Sequence, residues 1–293
     1  MCTAGIFLLR MKTRVENDEL DDRGMKRSAY AASFIFFTVL LPLVCFCASP
    51  SSVLINDLVS RIEGSLKTID ADLAKTARMI EKDVREPTGK RQALRDLCSG
   101  KVYAVDCVFV STRGVMEAVE PQKYRKYEGT NISDQELVRR INKDHKPVFS
   151  QTFISAEGLQ GIVFQYPVFD AGKKFAGSIS LFVMPEVLIR EAIKGLKIEA
   201  GSGITVVEPS GTNVYSTEPE QIRLNVLTSP QYKGYGQLHE MVRRMIAEKE
   251  GTGTYHYTKP GTDIVVKKSA IWKNISFYDS YWRVVITTEA HHP

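Results

Sequence analysis

The stretch from Ile162 to Val183, IVFQYPVFDAGKKFAGSISLFV, sets the fold of the chain around it. Two runs of alternating apolar residues flank Asp170-Ala171-Gly172-Lys173-Lys174, a short polar turn, which is the pattern of an antiparallel hairpin. Strand side chains alternate, so Phe164, Tyr166, Val168 and Asp170 share one face of the first arm. On the second arm Ala176, Ser178 and Ser180 share one face, and Ile179, Leu181 and Val183 the other. The small residues leave room for a ligand to lie against the sheet, with a carboxylate and an aromatic at its mouth. Two readings of Asp170 stand side by side: a ligand contact, or a residue that starts the turn, where Asp is common.

Around this hairpin lie 293 residues, 43% hydrophobic and 25% charged, enough for two globular modules. The net charge of +5 is spread along the chain without a basic block, so no nucleic-acid partner is expected. There is no Gly-x-Ser-x-Gly elbow, phosphate loop or His-Glu-x-x-His. The five histidines are isolated apart from His291-His292, which supplies no metal cage. Neither catalysis nor a metal or cofactor is expected.

Residues 29–48 are almost wholly apolar and follow Met25-Lys26-Arg27, the layout of a secretory signal or an uncleaved anchor. A start at Met25 would make residues 1–24 an upstream extension. Cys45 and Cys47 raise a lipoprotein reading, but Pro42-Leu43-Val44 and Phe46 before them match a lipobox poorly. Every version exports the body to the periplasm or cell exterior, tethered or free. Beyond this leader only Cys98 and Cys107 remain, a candidate disulfide in an exported domain.

From Val53 to about Glu86 an apolar stripe recurs at helical spacing: Ile55, Ile62, Ile69 and Thr76, with Val59, Leu66, Leu73 and Ile80 between them. Pro87 and Gly89 should end this helix. It is too long for one small module, so it runs along two modules or pairs with a second copy in a homodimer. A shorter helix follows to Cys98, then strands over Val102–Ser111 and Val115–Val119, a polar excursion with a helix near Asp134–Lys143 capped at Ser133, a strand over Val148–Ser155, and the hairpin. After a connecting helix at Pro185–Leu196 the same order of elements begins again at Ile204 and ends with strands near Gly253–Thr258, Asp263–Trp272 and Trp282–Thr287. The parallel between VFVSTRGVMEAVEP (residues 108–121) and ITVVEPSGTNVYSTEP (residues 204–219) is the clearest sign of a repeat. This is an α+β arrangement: a long N-terminal helix and two PAS-like modules, each with a five-stranded antiparallel sheet and inserted helices. The divisions are 1–49 for extension and leader, 50–86 for the long helix, 87–184 for a membrane-distal module, 185–200 for a connector and 201–293 for a membrane-proximal module.

Three segments, VDCVFVSTRGVMEAVEP (105–121), GTNISDQELVRRINKDHKPVFSQTF (129–153) and YPVFDAGKKFAGSISLFV (166–183), resemble in order and spacing the double Cache extracellular sensor domains of bacteria and archaea. The resemblance covers roughly residues 53–288. It implies a small-molecule pocket in the distal module, between the sheet and the excursion after its second strand. That places Tyr124, Arg125, Tyr127, Phe149, Phe164, Tyr166 and Asp170 as candidate ligand contacts. Amino-acid-binding members of that family have Arg-x-Trp-Tyr here, whereas Lys126, Tyr127 and Glu128 follow Arg125. A small carboxylate or amine is therefore expected rather than an α-amino acid.

In the proximal half, Trp272, Tyr278, Tyr281 and Trp282 are expected in the core. Asn131 and Asn274 form glycosylation patterns, meaningful only where exported proteins are glycosylated. No output module follows the last strand, so the expectation is an exported, non-catalytic module that captures a metabolite or presents it to a separate membrane receptor or sensor kinase. The alternative is a cell-surface structural or protein-interaction module with a vestigial pocket.

Overall fold

The computed structural model describes residues 50–82, 84–258 and 264–289. The leader at 29–48, the start at Met25, and Cys45 and Cys47 lie outside the described residues. No helix among the described residues is long and apolar enough to cross a membrane.

Helix α1 (Pro50–Glu81) is 32 residues long, about 48 Å at 1.5 Å per residue. Its apolar stripe is fully sequestered: Ile55, Leu58, Ile62, Leu66, Ile69, Leu73 and Ile80 are all at most 2% exposed. Burial of each such side chain contributes about 2 kcal/mol. The stripe packs on the inner faces of both sheets, in one core that includes Ile162, Phe164, Leu181, Val206, Trp282 and Val284. The face expected to serve either packing or a dimer is thus occupied within the chain. Thr76 joins the stripe by donating its hydroxyl to the Asp72 carbonyl at 2.8 Å.

The helix ends before Pro87, which the sequence pattern had as its terminator. Instead Pro87 opens helix α2 (Pro87–Cys98), and the Glu86 side chain caps it by accepting from the Thr88 and Gly89 amides. Proline suits this first position because its missing N–H would have no helical partner there.

The distal sheet holds β1 (Ala104–Ser111), β2 (Met116–Glu120), β3 (Val148–Phe149), β4 (Phe153–Ile154), β5 (Gln160–Phe169) and β6 (Phe175–Val183). Its order is β2-β1-β6-β5-β3, with β4 pairing to β5. The single strand expected at Val148–Ser155 is therefore two short pieces, both on β5. Between β2 and β3 run a 3-10 turn (Gln122–Tyr127) and helix α3 (Glu136–Asp144). Ser133 does not cap α3; the N-cap position is Gln135, and its side chain makes no capping bond.

Helix α4 (Pro185–Ala192) leads to the proximal sheet: β7 (Ser202–Val207), β8 (Asn213–Ser216), β9 (Glu250–Thr258), β10 (Val265–Phe277) and β11 (Ser280–Glu289), with helix α5 (Gly236–Ala247) before β9. Its order, β8-β7-β11-β10-β9, repeats that of the distal sheet. Trp272 and Trp282 are buried. The Tyr278 hydroxyl donates to Asp70 on α1 at 2.5 Å, and that of Tyr281 to the Ile246 carbonyl at 3.1 Å.

An aromatic seam joins the two sheets. The Phe149 ring lies 4.8 Å from Phe164, 5.8 Å from Phe277 and 5.4 Å from Trp282. Polar links flank it. Buried Glu208 accepts from the Thr152 amide at 2.8 Å and hydroxyl at 3.0 Å, and Arg140 pairs with Asp279.

Candidate functional site

The outer face of the distal sheet, away from α1, carries a small cleft. Register decides which side chains reach it. Gln165 pairs with Ser180, and Val108 also pairs with Ser180 from the other side, so these residues share the outer face. The small Ser180 lines the cleft, and Ser178 on the same face holds the Gln165 amide, under a roof formed by α3 and the segment around β4.

Asp106 shares this face with Val108 and Val110 by plain strand alternation. Its pairing with Phe182 continues the regular register of β1 with β6, which slips only on the far side, between Ala104 and Asp106. The next residue, Cys107, points inward and is bonded to Cys98 at the end of α2, with Cα atoms 5.9 Å apart. The disulfide thereby ties the β1 backbone to α2 next to the carboxyl.

The cleft is rich in acceptors. Asp106 is 2% exposed, and burial is the main cause that raises its carboxyl well above the ordinary range. The negative charge of the nearby Glu157 carboxylate and a hydrogen bond with it push in the same direction. Asp106 therefore holds its proton to higher pH than a solvated carboxyl does. Gln165, also 2% exposed, donates its amide to Ser178 at 2.8 Å and leaves its carbonyl oxygen without a partner. Asp106 Oδ2 and the Ser155 hydroxyl are likewise buried and unpartnered. Val108, Val110, Met116, Phe153 and Phe182 supply apolar walls, and neither Lys nor Arg lines the cleft. A ligand with several N–H donors and a positive charge would meet these acceptors; an anion would meet only like charge.

The residues singled out from the sequence are placed elsewhere. Phe164 pairs with Leu181 and Tyr166 with Ile179, so both lie on the inner face, toward α1. Phe149 belongs to the aromatic seam. Arg125 binds buried Glu120 at 2.6 Å, beside Arg91 at 3.2 Å. Tyr124 and Tyr127 pack against a small apolar cluster of Val108, Val110 and Val119. Asp170 occupies the hairpin turn, where its carboxylate accepts from the Gly172 amide at 2.9 Å and the Lys174 amide at 3.0 Å. None of these seven residues lines the cleft.

Sequence reasoning passed over Asp106, Glu157 and Gln165. A signal was present for two of them. Asp106 interrupts the apolar run VYAVDCVFVS and Gln165 the run IVFQYPVF, and a polar residue buried in such a strand needs a partner. Glu157 gives no such signal, because it sits in a polar loop.

Residues 64–185 match the family described as "HK/GC/Chemotaxis protein-like, sensor domain". No curated protein matches the chain. Among solved structures it is similar to an extracellular ligand-binding receptor from Desulfohalobium retbaense, at 26% identity and a TM-score of 0.65, over 80% of this chain and 39% of that one. The chain thus spans about two fifths of that receptor. It is also similar to the periplasmic sensory domain of a Campylobacter jejuni chemoreceptor, at 14% identity and a TM-score of 0.56, over 80% of this chain and 92% of that one. A third similar structure is the ligand-binding domain of the Pseudomonas aeruginosa amino-acid chemoreceptor PctB in complex with L-Gln, at 10% identity and a TM-score of 0.56, over 81% of this chain and 88% of that one. The last two likenesses speak to fold alone.

Proposed function

We propose, on the premise that this chain is a Cache-type extracellular sensor domain, that its distal cleft captures a small organic amine outside the cytoplasm. The observation that carries this reading is the set of buried, unpartnered acceptors, Asp106 Oδ2 and Gln165 Oε1, beside Glu157 in a cleft without a cationic side chain. An ammonium group presents three N–H donors and one positive charge, which matches the buried acceptors and the carboxyl-bearing lining. The apolar walls would receive the carbon skeleton.

The proton that Asp106 holds competes with the ammonium, so affinity should rise with pH until Asp106 has lost it. Of the two ligand classes expected from sequence, this reading keeps the amine and drops the carboxylate. The chain acts as a binding module without catalysis and passes occupancy to a separate membrane receptor or sensor kinase. Pairing of two copies along α1 would use its outward face, where Val53 and Met79 are exposed, because the apolar stripe is consumed inside.

Calorimetric titration of the purified chain with isobutylamine, phenethylamine, leucine, isobutyrate and benzoate tests the reading. Saturable binding of an amine, tighter at pH 8 than at pH 6, with the ligand recovered unchanged, is the expected result. Binding of the carboxylates alone would overturn it. A flat response across the panel would favour the protein-interaction alternative.

A further inference from the structure

The proximal sheet has an outer face of its own, and a second cavity lies there beneath α5 and the loops that follow β8. Its chemistry differs from that of the distal cleft. Asn213 on β8 is 2% exposed; its amide donates to the Gln221 carbonyl at 3.2 Å, and its Oδ1 is buried without a partner. Three tyrosine side chains, Tyr232, Tyr255 and Tyr257, form aromatic walls beside Leu238 and Val242.

The one cationic group on the lining, Lys268, is already neutralised. It lies 3.8 Å from Glu218, and its ammonium sits 5.1 Å from the centre of the Tyr257 ring. Burial raises the phenols of Tyr255 and Tyr257, the latter to about 12, so both keep their protons and offer O–H donors at neutral pH. The site therefore presents one buried acceptor, neutral phenol donors, flat aromatic surface and no net charge.

We propose that this proximal cavity is a second ligand site, which takes a small uncharged planar ring whose N–H or O–H group donates to Asn213 Oδ1. Aromatic walls favour a flat ring through offset or edge contacts. An unpaired buried acceptor favours a ligand that completes it, and disfavours one that leaves it bare. A charged ligand would lose its hydration without gaining a free counter-ion. The two modules then sense two chemically different molecules, a cation above and a neutral ring below, on the same sheet topology.

Uracil and adenine serve as probes, with benzoate and benzylamine as charged counterparts of similar size. Titration of the purified full-length chain should show one equivalent of uracil or adenine bound and no displacement by either charged ring. Tyr257→Phe should raise Kd about fivefold, the worth of about one hydrogen bond. Leu238→Trp fills the mouth and should abolish binding, with circular dichroism confirming that the variant folds. If that variant fails to fold, Tyr257→Phe and crystals soaked in uracil decide the matter, with density expected between Asn213 and Tyr257. Failure of both rings to bind, density elsewhere, displacement by benzylamine, or an unchanged Kd in Tyr257→Phe would each overturn the proposal.

Discussion

The distal and proximal modules share a strand order, β2-β1-β6-β5-β3 against β8-β7-β11-β10-β9, yet their outer faces carry opposite chemistries. Above, Asp106 and Glu157 make the cleft acidic and rich in acceptors. Below, Asn213 and three tyrosines line a neutral cavity whose only cation is paired to Glu218. Both inner faces, by contrast, are mainly apolar and share one core with α1. The topology places a cavity on the face turned away from the helix, and a few polar positions on β1, β5 and β8 decide what enters it. Ligand chemistry can therefore change in either module without disturbing the helix that joins them.

The strongest way to break this comparison is at the seam. Phe149→Ala removes a ring held by Phe164, Phe277 and Trp282 and should lower stability by about 3–5 kcal/mol, read by urea denaturation. If the modules unfold independently, the loss would appear as two separate transitions; one shared core predicts a single one.

Next in size is Asp106→Asn. Loss of a charged hydrogen-bond partner should weaken amine binding by about 10- to 100-fold, measured by calorimetry. The sign of its effect on stability is opposite. The folded pKa of Asp106 lies above its unfolded value, so the folded state holds the proton more tightly. Stability from this group is complete below the unfolded pKa and declines as pH rises toward the folded one. At neutral pH the ligand-free Asn variant should melt higher than the parent, and at pH 3 the difference should vanish. An Asn variant that melts lower at neutral pH would mean that Asp106 has a stabilising partner there.

Smaller effects separate structural residues from ligand contacts. Arg125→Ala should cost about 1–2 kcal/mol, since Glu120 keeps Arg91 and Arg95 as partners, and should leave amine affinity within about twofold. Asp170→Ala should cost about 1 kcal/mol through its two turn hydrogen bonds, again without a change in affinity. A large loss of affinity in either variant would move the binding site toward the turn and the 3-10 segment. Thermal melts beside each titration separate the two outcomes.

Much of the architecture follows from local pattern. The helical period of Ile55 to Ile80 dictates a long amphipathic helix because any such stripe must be buried. Alternation around Asp170–Lys174 dictates a hairpin, and the order of apolar runs dictates two similar sheets. The candidate site follows from longer-range facts. Alternation tells that Phe164 and Tyr166 share a face, but only the docking of α1 decides that this face is the core rather than the pocket. Alternation puts Asp106 on one face with Val108 and Val110, but only pairing with β6, a strand far along the chain, sets that face beside Ser180. Glu157 meets Asp106 only once the segment around β4 folds over the sheet. The hairpin at Ile162–Val183 shows the division in one place: its turn, arms and the small Ser178 and Ser180 were legible in sequence. That Gln165, and not Asp170, faces the space beside those serines was set by tertiary packing, because a period of two defines two faces without naming which one is covered.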